Sequence, residues 1–390
     1  MKHALLGASK AAQWINCPPS ARTQESVAES GSDYAQEGTL AHELAEVKLL
    51  GRVTKCNAKK RKTLSEQYEK IKANKFYDQE MEQATDEYVG LVEERFMTAK
   101  ARSSDAVILL EARLDYTDWV PEGFGTGDVV LIADGVLEII DLKYGKGVPV
   151  SAYKNPQIRL YGLGAWAGYS YLYSIDEVHM TIIQPRLDSV STDIMPIQEL
   201  LDWADRVVKP AAVLAFAGEG DFCSGDHCRW CKVKGNCRAR ADENMKALAH
   251  EFQDPALLTN EEIGSILFIT EQLKTWAKDI EAYASGQALK GNPIPQWKLV
   301  SGRSNRSILD KDTAKGLFIA AKVDEDKYLK PQELLGIGEL EKRIGKKELA
   351  TLIGDLIIKP EGKATLVPET DHRSELNCVE GDFAGEDFNV

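Results

Sequence analysis

The sequence lacks several features that would have defined its class. No apolar run is long enough to cross a bilayer, and the first residues contain no apolar segment of the kind found in secretory signals. The phosphate-binding pattern G-x-x-x-x-G-K-[ST] is also absent. We therefore expect a cytoplasmic protein that has no membrane partner and no nucleotide-driven motor.

Cysteine and positive charge are scarce. Seven cysteines in 390 residues do not make a disulfide scaffold, and three of them fall within residues 228–237, which favours metal binding. The net charge of −13 argues against a protein that coats nucleic acid. Positive charge is nevertheless concentrated between Lys55 and Lys75, where eight basic residues stand against two acidic ones. This stretch is either a solvated face or a contact for nucleic acid.

The composition is that of an ordinary globular protein, with 43% hydrophobic and 28% charged residues. Helical and strand-like patterns alternate over the first 245 residues, which predicts an α/β (α+β) fold with a mixed sheet flanked by helices. One long helix is predicted from Leu64 to Ala101, a short strand from Val148 to Ala152, and a helix that starts at Asn155-Pro156. Residues 251–374 are expected to form a mainly helical second domain, and residues 375–390 an acidic, disordered tail.

A predicted hairpin organises the first domain. Asp134 and Gly135 stand between two apolar runs, and Asp-Gly in this setting predicts a two-residue turn. In that register Asp128 lies opposite Asp141, and Lys143 points to the same face. The rest of that face is predicted to be core; it comprises Val130, Ile132, Leu137 and Ile139.

The two opposed aspartates suggest a metal site. Their Cβ atoms would lie roughly 4.5–5.5 Å apart, so the carboxylates would repel one another unless a cation lay between them. A hard divalent ion with oxygen ligands is the natural candidate, and the carbonyl of Leu142 could supply a third oxygen. Lys143 could hold the attacking water or stabilise developing charge. The alternative is a solvated pair at the strand ends with Lys143 as its partner.

Further candidates lie before and after the hairpin. Glu111, in the preceding strand, could bind the same or a second metal, or could be a surface residue. His42 and Glu46 share a helical face, and a His42 ligand would favour Mn²⁺ over Mg²⁺. Gln157 and Tyr161 lie one turn apart on the helix after Pro156. Each of these could instead be an ordinary structural residue.

Together these residues resemble the PD-(D/E)XK nuclease superfamily, most closely its RecB-like branch. The resemblance implies that residues 1–245 form a restriction-endonuclease-like core. It also implies that His42, Asp128 and Asp141 bind Mg²⁺ or Mn²⁺ and that Lys143 is the catalytic lysine. Gln157 and Tyr161 would then position the DNA or the site. The residues that carry the resemblance are His42, Glu111, Gly127-Asp128, Asp141-Leu142-Lys143 and Gln157-x-x-x-Tyr161.

The cysteines extend the resemblance to iron–sulfur members of that branch. In those proteins one N-terminal and three C-terminal cysteines hold a [4Fe–4S] cluster that closes the nuclease domain, and here they would be Cys17, Cys228, Cys231 and Cys237. The alternative from spacing alone is a Zn²⁺ knuckle in which Cys223, or His227 in place of one thiolate, joins the three clustered cysteines.

The resemblance implies a metal-dependent exonuclease that acts on linear DNA ends or single strands in the cytoplasm of a bacterial host. The whole chain resembles a prophage-borne family, so a phage single-strand annealing or single-strand binding protein is the expected partner. Because relatives form rings, a homo-oligomer is also compatible with the resemblance. The rival hypothesis is a non-catalytic DNA-binding or scaffold protein with a structural zinc or iron–sulfur module.

Overall fold

The computed structural model describes residues 4–27, 33–54, 57–133, 135–246 and 259–298, together with residues 345 and 351. Its contacts divide the chain into two units. The first comprises Met1–Leu248 and Thr275–Asn305, and the second comprises Ala249–Lys274 and Arg306–Val390. The described part of the second unit is mainly residues 259–274, which are helical from Asn260. The helices predicted after residue 300 and the acidic tail lie outside the described residues.

The first unit is built on one mixed sheet of five strands in sequential order. Strand β3 pairs with β4 in parallel, and the other neighbouring strands are antiparallel. This sheet with helices around it confirms the predicted α/β fold class. The strands are β1 (Val107–Asp115), β2 (Phe124–Ala133), β3 (Val136–Leu142), β4 (Glu177–Gln184) and β5 (Ser189–Pro196).

Helices precede the sheet, connect its parallel strands and follow it. No described helix is both long and apolar enough to cross a membrane. The helices described are α1 (Ala11–Asn16), α2 (Ser20–Thr23), α3 (Asp33–Val53), α4 (Ala58–Lys72), α5 (Gln79–Arg102), α6 (Pro156–Tyr169), α7 (Ile197–Trp203), α8 (Lys209–Ala217), α9 (Arg238–Met245) and α10 (Asn260–Leu289).

The β2–β3 hairpin has the predicted register, with Ala133 facing Val136 and Val129 facing Ile140. Gly135 adopts φ +76°, a left-handed conformation that the turn requires and that glycine accepts without strain. Asp134 lies outside the described residues. The predicted core face of the hairpin is confirmed, because its four apolar residues all join the largest buried cluster.

Apolar side chains on both faces of the sheet bury it between two helical layers. On one face α6 packs over β2, β3 and β4, and Trp14 of α1 joins the same cluster. On the other face α3 and α5 pack against Val129, Ile140 and Leu142. Burial on both faces explains why β3 reads as a nearly continuous apolar run rather than an alternating one.

Two local predictions are wrong. The helix predicted from Leu64 to Ala101 is interrupted at residues 73–78, because Asp78 caps a new helix by accepting a hydrogen bond from the Met81 amide. The segment from Val148 to Ala152 is not a strand. Its amides are bound by side chains instead, with Val150 N donating to Gln184 Oε1 and Ala152 N to Ser191 Oγ.

Candidate metal centre

The hairpin brings Asp128 and Asp141 together at one end of the sheet. Its register, continued by one residue, sets Asp128 opposite Asp141, and the Leu142 amide donates a 2.7 Å hydrogen bond to Asp128 Oδ2. Asp141 is only 3% exposed. Leu142 therefore reaches the site through its amide, while a ligand role for its carbonyl stays a prediction.

Helix α3 and strand β1 add two more donors to Asp128. His42 Nδ1 lies 3.2 Å from Asp128 Oδ1. Donor atoms of His42, Glu111 and Asp128 all lie within 4.8 Å of one another, and no other group of three or more His, Cys, Asp and Glu residues in the described part of the chain meets this criterion. Two carboxylates suit Mg²⁺ or Mn²⁺, and the imidazole favours Mn²⁺ over Mg²⁺. The donor set thus fits a hard divalent ion.

Glu111 occupies an unusual backbone conformation. Its φ is +48°, in the left-handed region that residues other than glycine rarely adopt. It interrupts the β1–β2 pairing between the Leu110–Val129 and Ala112–Gly127 pairs, directly across from Asp128. Strained conformations of this kind persist where the surroundings enforce them and are concentrated at functional sites.

A chain of polar contacts leads from Asp141 to helix α6. Lys143 Nζ lies 2.9 Å from Asp141 Oδ2 and donates a 3.0 Å hydrogen bond to Gln157 Oε1. Gln157 Nε2 in turn donates to the Tyr161 hydroxyl at 3.2 Å. The helix starts as predicted, with Asn155 as N-cap and Pro156 in its first turn. This start places Gln157 beside the site.

The ionisable groups of this site shift one another's pKa values. Burial lowers the pKa of His42, but the charge of Asp128 and the hydrogen bond to it outweigh burial and raise the pKa to about 9. Burial and the charge of Asp128 raise the pKa of Glu111 to about 7. Burial also raises the pKa of Asp141, against the opposing charge of Lys143. At neutral pH the protonated His42 and the Lys143 ammonium thus offset much of the negative charge of the carboxylates, and a metal ion that binds there must displace the His42 proton.

Sequence reasoning missed Tyr88, which lies on α5. Its ring packs in the cluster between the sheet and α3, it is 1% exposed, and its hydroxyl has no hydrogen-bond partner among the described protein atoms. Burial, followed by the charges of Asp128, Asp141 and Glu111, raises its pKa well above the usual value. The sequence does not indicate that Tyr88 is affected by the charges of this site, because a tyrosine within an apolar helical stripe is typical of ordinary core.

A family model described as "Protein of unknown function (DUF2800)" matches residues 3–374. The chain belongs to the DUF2800 family. The match includes every residue of the candidate metal centre and the cysteines from Cys17 to Cys237. Among solved structures, the crystal structure of SSO0001 is similar, with 14% sequence identity, over 59% of this chain and 96% of that chain, at a TM-score of 0.21. A likeness at that TM-score carries no argument about function.

A second feature of this DUF2800 chain is a cysteine-lined cavity. Cys17, at the end of α1, lines one small cavity together with Cys223, Cys228, Cys231 and Cys237. The loop that carries the last three is attached to the N-terminal helices, since Lys232 N donates to Gln24 Oε1 at 2.8 Å and Gln24 Nε2 donates to Gln13 Oε1 at 3.1 Å. Residues more than 200 positions apart in the sequence therefore surround a single cavity.

His227 is the polar centre of this cavity. Its ring lies 2.9 Å from the Cys223 carbonyl, and hydrogen bonds with the thiols of Cys17 and Cys228 raise its pKa to about 10. Burial raises the pKa of the Cys17 thiol, but the bond to His227 and the Cys223 backbone reverse the effect and leave the pKa lowered. The pKa of Cys228 is lowered in the same way. Both thiols therefore lose their proton more readily than an ordinary cysteine, and the thiolate is the form that binds metals. Burial raises the pKa of the Cys231 thiol instead.

Proposed function

We propose that this protein is a metal-dependent deoxyribonuclease of the PD-(D/E)XK type, and an exonuclease rather than an endonuclease. One observation carries the proposal. Donor atoms of His42, Glu111 and Asp128 converge within 4.8 Å, next to a buried Asp141 that is paired with Lys143. A carboxylate-rich site can hold a metal ion that acidifies water, and an adjacent lysine can stabilise the charge that develops during phosphodiester hydrolysis.

His42, Glu111, Asp128 and Asp141 would hold the ion. Bound there, Mg²⁺ or Mn²⁺ would supply an acidified water and neutralise the charge that develops on the phosphate. The 2.7 Å hydrogen bond from the Leu142 amide fixes Asp128 Oδ2, so that Oδ1 remains directed toward His42. A ligand held by two such contacts loses little conformational freedom when it binds the ion.

Lys143 would orient the attacking water or donate to a phosphate oxygen. Burial lowers its pKa, but the charge of Asp141 outweighs burial and leaves the pKa raised, so the ammonium stays charged at neutral pH. Gln157 Oε1 accepts a hydrogen bond from the Lys143 ammonium, and the Tyr161 hydroxyl accepts one from Gln157 Nε2. Gln157 and Tyr161 thus help to hold the Lys143 ammonium in one position. This is electrostatic preorganisation of the kind that stabilises a transition state.

The test is hydrolysis of end-labelled DNA, linear against circular, with EDTA, Mg²⁺ or Mn²⁺. We expect metal-dependent release of nucleotides from linear DNA, and a loss of at least about 100-fold in Asp141→Asn and Lys143→Met. Glu138→Gln is the matched control. Glu138 is a buried carboxylate on the same strand, but it binds Arg95 and Thr181 outside the site, so its variant should keep activity. Undiminished hydrolysis in both site variants would refute the proposal, and DNA binding without hydrolysis would favour a non-catalytic DNA-binding protein.

We also propose that the cysteine cavity holds a [4Fe–4S] cluster on Cys17, Cys228, Cys231 and Cys237. Tetrahedral Zn²⁺ with sulfur at about 2.3 Å needs its sulfurs about 3.8 Å apart. In the described part of the chain, no three of these sulfurs lie mutually within 4.8 Å, so they are not arranged for tetrahedral zinc. The proposal of a cluster rests on the four cysteines that line one cavity, one from the N-terminal helices and three from the loop near residue 230.

Anaerobic purification followed by iron, sulfide and zinc analysis tests this proposal. We expect about four irons and four sulfides per chain. Cys17→Ser should lose them and the matched variant Cys223→Ser should keep them. Stoichiometric zinc without sulfide would instead identify the zinc knuckle. Metal loss in Cys223→Ser but not in Cys17→Ser would make Cys223, rather than Cys17, the fourth ligand.

A further inference from the structure

Helix α4 carries a charge opposite in sign to that of the rest of the chain. Six of its fifteen residues are basic and two are acidic, a net charge of +4 in a protein whose total is −13. The basic residues are exposed, except for Lys60, which is half-buried. They are Lys59, Lys60, Arg61, Lys62, Lys70 and Lys72.

Few of these charges are used within the fold. Lys62 and Lys72 form loose ion pairs, at 3.9 and 3.7 Å, with the helix's own glutamates. Lys59, Arg61 and Lys70 form no ion pair within the described part of the chain. Exposed charges of one sign on a surface helix cost stability through mutual repulsion, so their concentration here points to a partner of opposite charge.

The position of α4 connects this charge with the candidate metal centre. A short stripe of apolar residues attaches α4 to the rest of the fold. Its buried member, Ile71, belongs to the same core cluster as Ala41 and Leu44, which flank His42 in the sequence. Tyr144, which follows Lys143, belongs to this cluster too. At its other end Lys60 Nζ donates to the Thr54 hydroxyl at the end of α3. The helix therefore runs back along α3 from its far end to the site, over roughly 22 Å.

From this arrangement we propose that α4 is a phosphate-binding track that holds a DNA strand as it leads into the metal centre. The proposal rests on the proposed function, since it names DNA as the occupant. At 3.6 residues per turn, Lys59, Lys62 and Lys70 fall on one side of α4, and Arg61 falls on another. Phosphates are repeated anions that match exposed lysines along one side of a helix, and such contacts bind DNA without reading its sequence. A strand held along α4 would present its end beside His42 and Lys143.

The experiment measures binding of a fluorescent 20-nucleotide single strand to the full chain by anisotropy, in EDTA, across a series of salt concentrations. The variant is Lys59→Gln/Lys62→Gln/Lys70→Gln, because these three lysines lie on one side of α4. The matched control is Arg206→Gln/Lys209→Gln/Lys278→Gln, which removes the same charge away from α4. Losing three phosphate contacts should lower the salt slope by about 2 and the affinity at 0.1 M salt on the order of 100-fold, while the control stays near wild type.

Hydrolysis separates this proposal from the nuclease proposal. The α4 variant should cleave bis(p-nitrophenyl) phosphate, a diester too small to reach the track, as fast as wild type does, but should show a raised KM for DNA. If the wild-type protein never hydrolyses DNA but the α4 variant loses DNA binding, the track proposal stands and the nuclease proposal fails. Equal losses in both triple variants, no DNA binding by wild type, or equally tight binding of polyglutamate would overturn the track.

Discussion

The hydroxyl of Tyr88, which has no hydrogen-bond partner among the described protein atoms, provides the sharpest test of the candidate metal centre. A buried hydroxyl without a hydrogen bond costs about 1–3 kcal/mol. Tyr88→Phe removes that cost with little change in shape, so the metal-free protein should be stabilised by about 1–2 kcal/mol, or about 2–4 °C for each kcal/mol. Metal binding should change in the opposite direction. If a ligand water of the ion satisfies the hydroxyl, its loss should weaken Mn²⁺ binding by about 1–2 kcal/mol, roughly 5- to 30-fold.

Two measurements on each protein decide the matter: thermal unfolding in EDTA and Mn²⁺ titration calorimetry. Tyr144→Phe is the matched control, because the Tyr144 hydroxyl is also buried and unpaired among the described protein atoms. The charges that act on Tyr144 come from Arg186, Asp78, Glu37 and Glu80 rather than from the site carboxylates. Its variant should gain stability and bind Mn²⁺ normally. Unchanged Mn²⁺ affinity in Tyr88→Phe, or lost stability in EDTA, would show that this hydroxyl does not serve the metal.

Three further predictions concern the same site. Glu111→Gly should relieve the left-handed backbone at φ +48° and stabilise the metal-free protein by about 1 kcal/mol, while calorimetry shows weaker Mn²⁺ binding. Because His42, with its pKa of about 9, must lose a proton to bind metal, Mn²⁺ affinity should rise by up to about tenfold per pH unit between pH 7 and 9. His42→Gln should remove most of that rise and leave the smaller contribution of Glu111, whose pKa is about 7. Lys143→Met and Asp141→Asn should each lower the free energy of unfolding, measured with urea, by about 3 kcal/mol. The double variant should lower it by at least about 1 kcal/mol less than the sum of the two single losses. Additive losses would contradict a buried ion pair.

Local chemistry was sufficient to predict the parts of the fold that one short segment determines. The two-residue turn at Gly135 fixed the register of the hairpin, and the register fixed which face carries Asp128 and Asp141. The start of α6 was equally clear, because Asn155 caps it and Pro156 is preorganised for its first turn. In each case a few adjacent residues decide the geometry, and tertiary packing does not override them.

Tertiary contacts determined what the sequence could not predict. Strand β5 carries exposed and half-buried residues through most of its length and is specified by pairing with β4, a contact absent from its own pattern. The approach of His42 to Asp128 depends on how α3 packs across the sheet, which no spacing encodes. The burial of Tyr88 and the left-handed backbone of Glu111 also depend on tertiary contacts, because Glu111 takes its conformation where β1 passes Asp128 of β2.

The attachment of Gln24 to the Lys232 backbone has a consequence for synthesis on the ribosome. At about 5–20 residues per second, the first helices wait roughly 10–40 s for the loop that completes their contacts. During that interval Cys17 lacks the other cysteines of its cavity, and Gln24 Oε1 lacks its donor, the Lys232 amide of the loop. The proposed cluster could be inserted only after Cys237 has been made. On that proposal, Cys17 must stay reduced until the loop arrives.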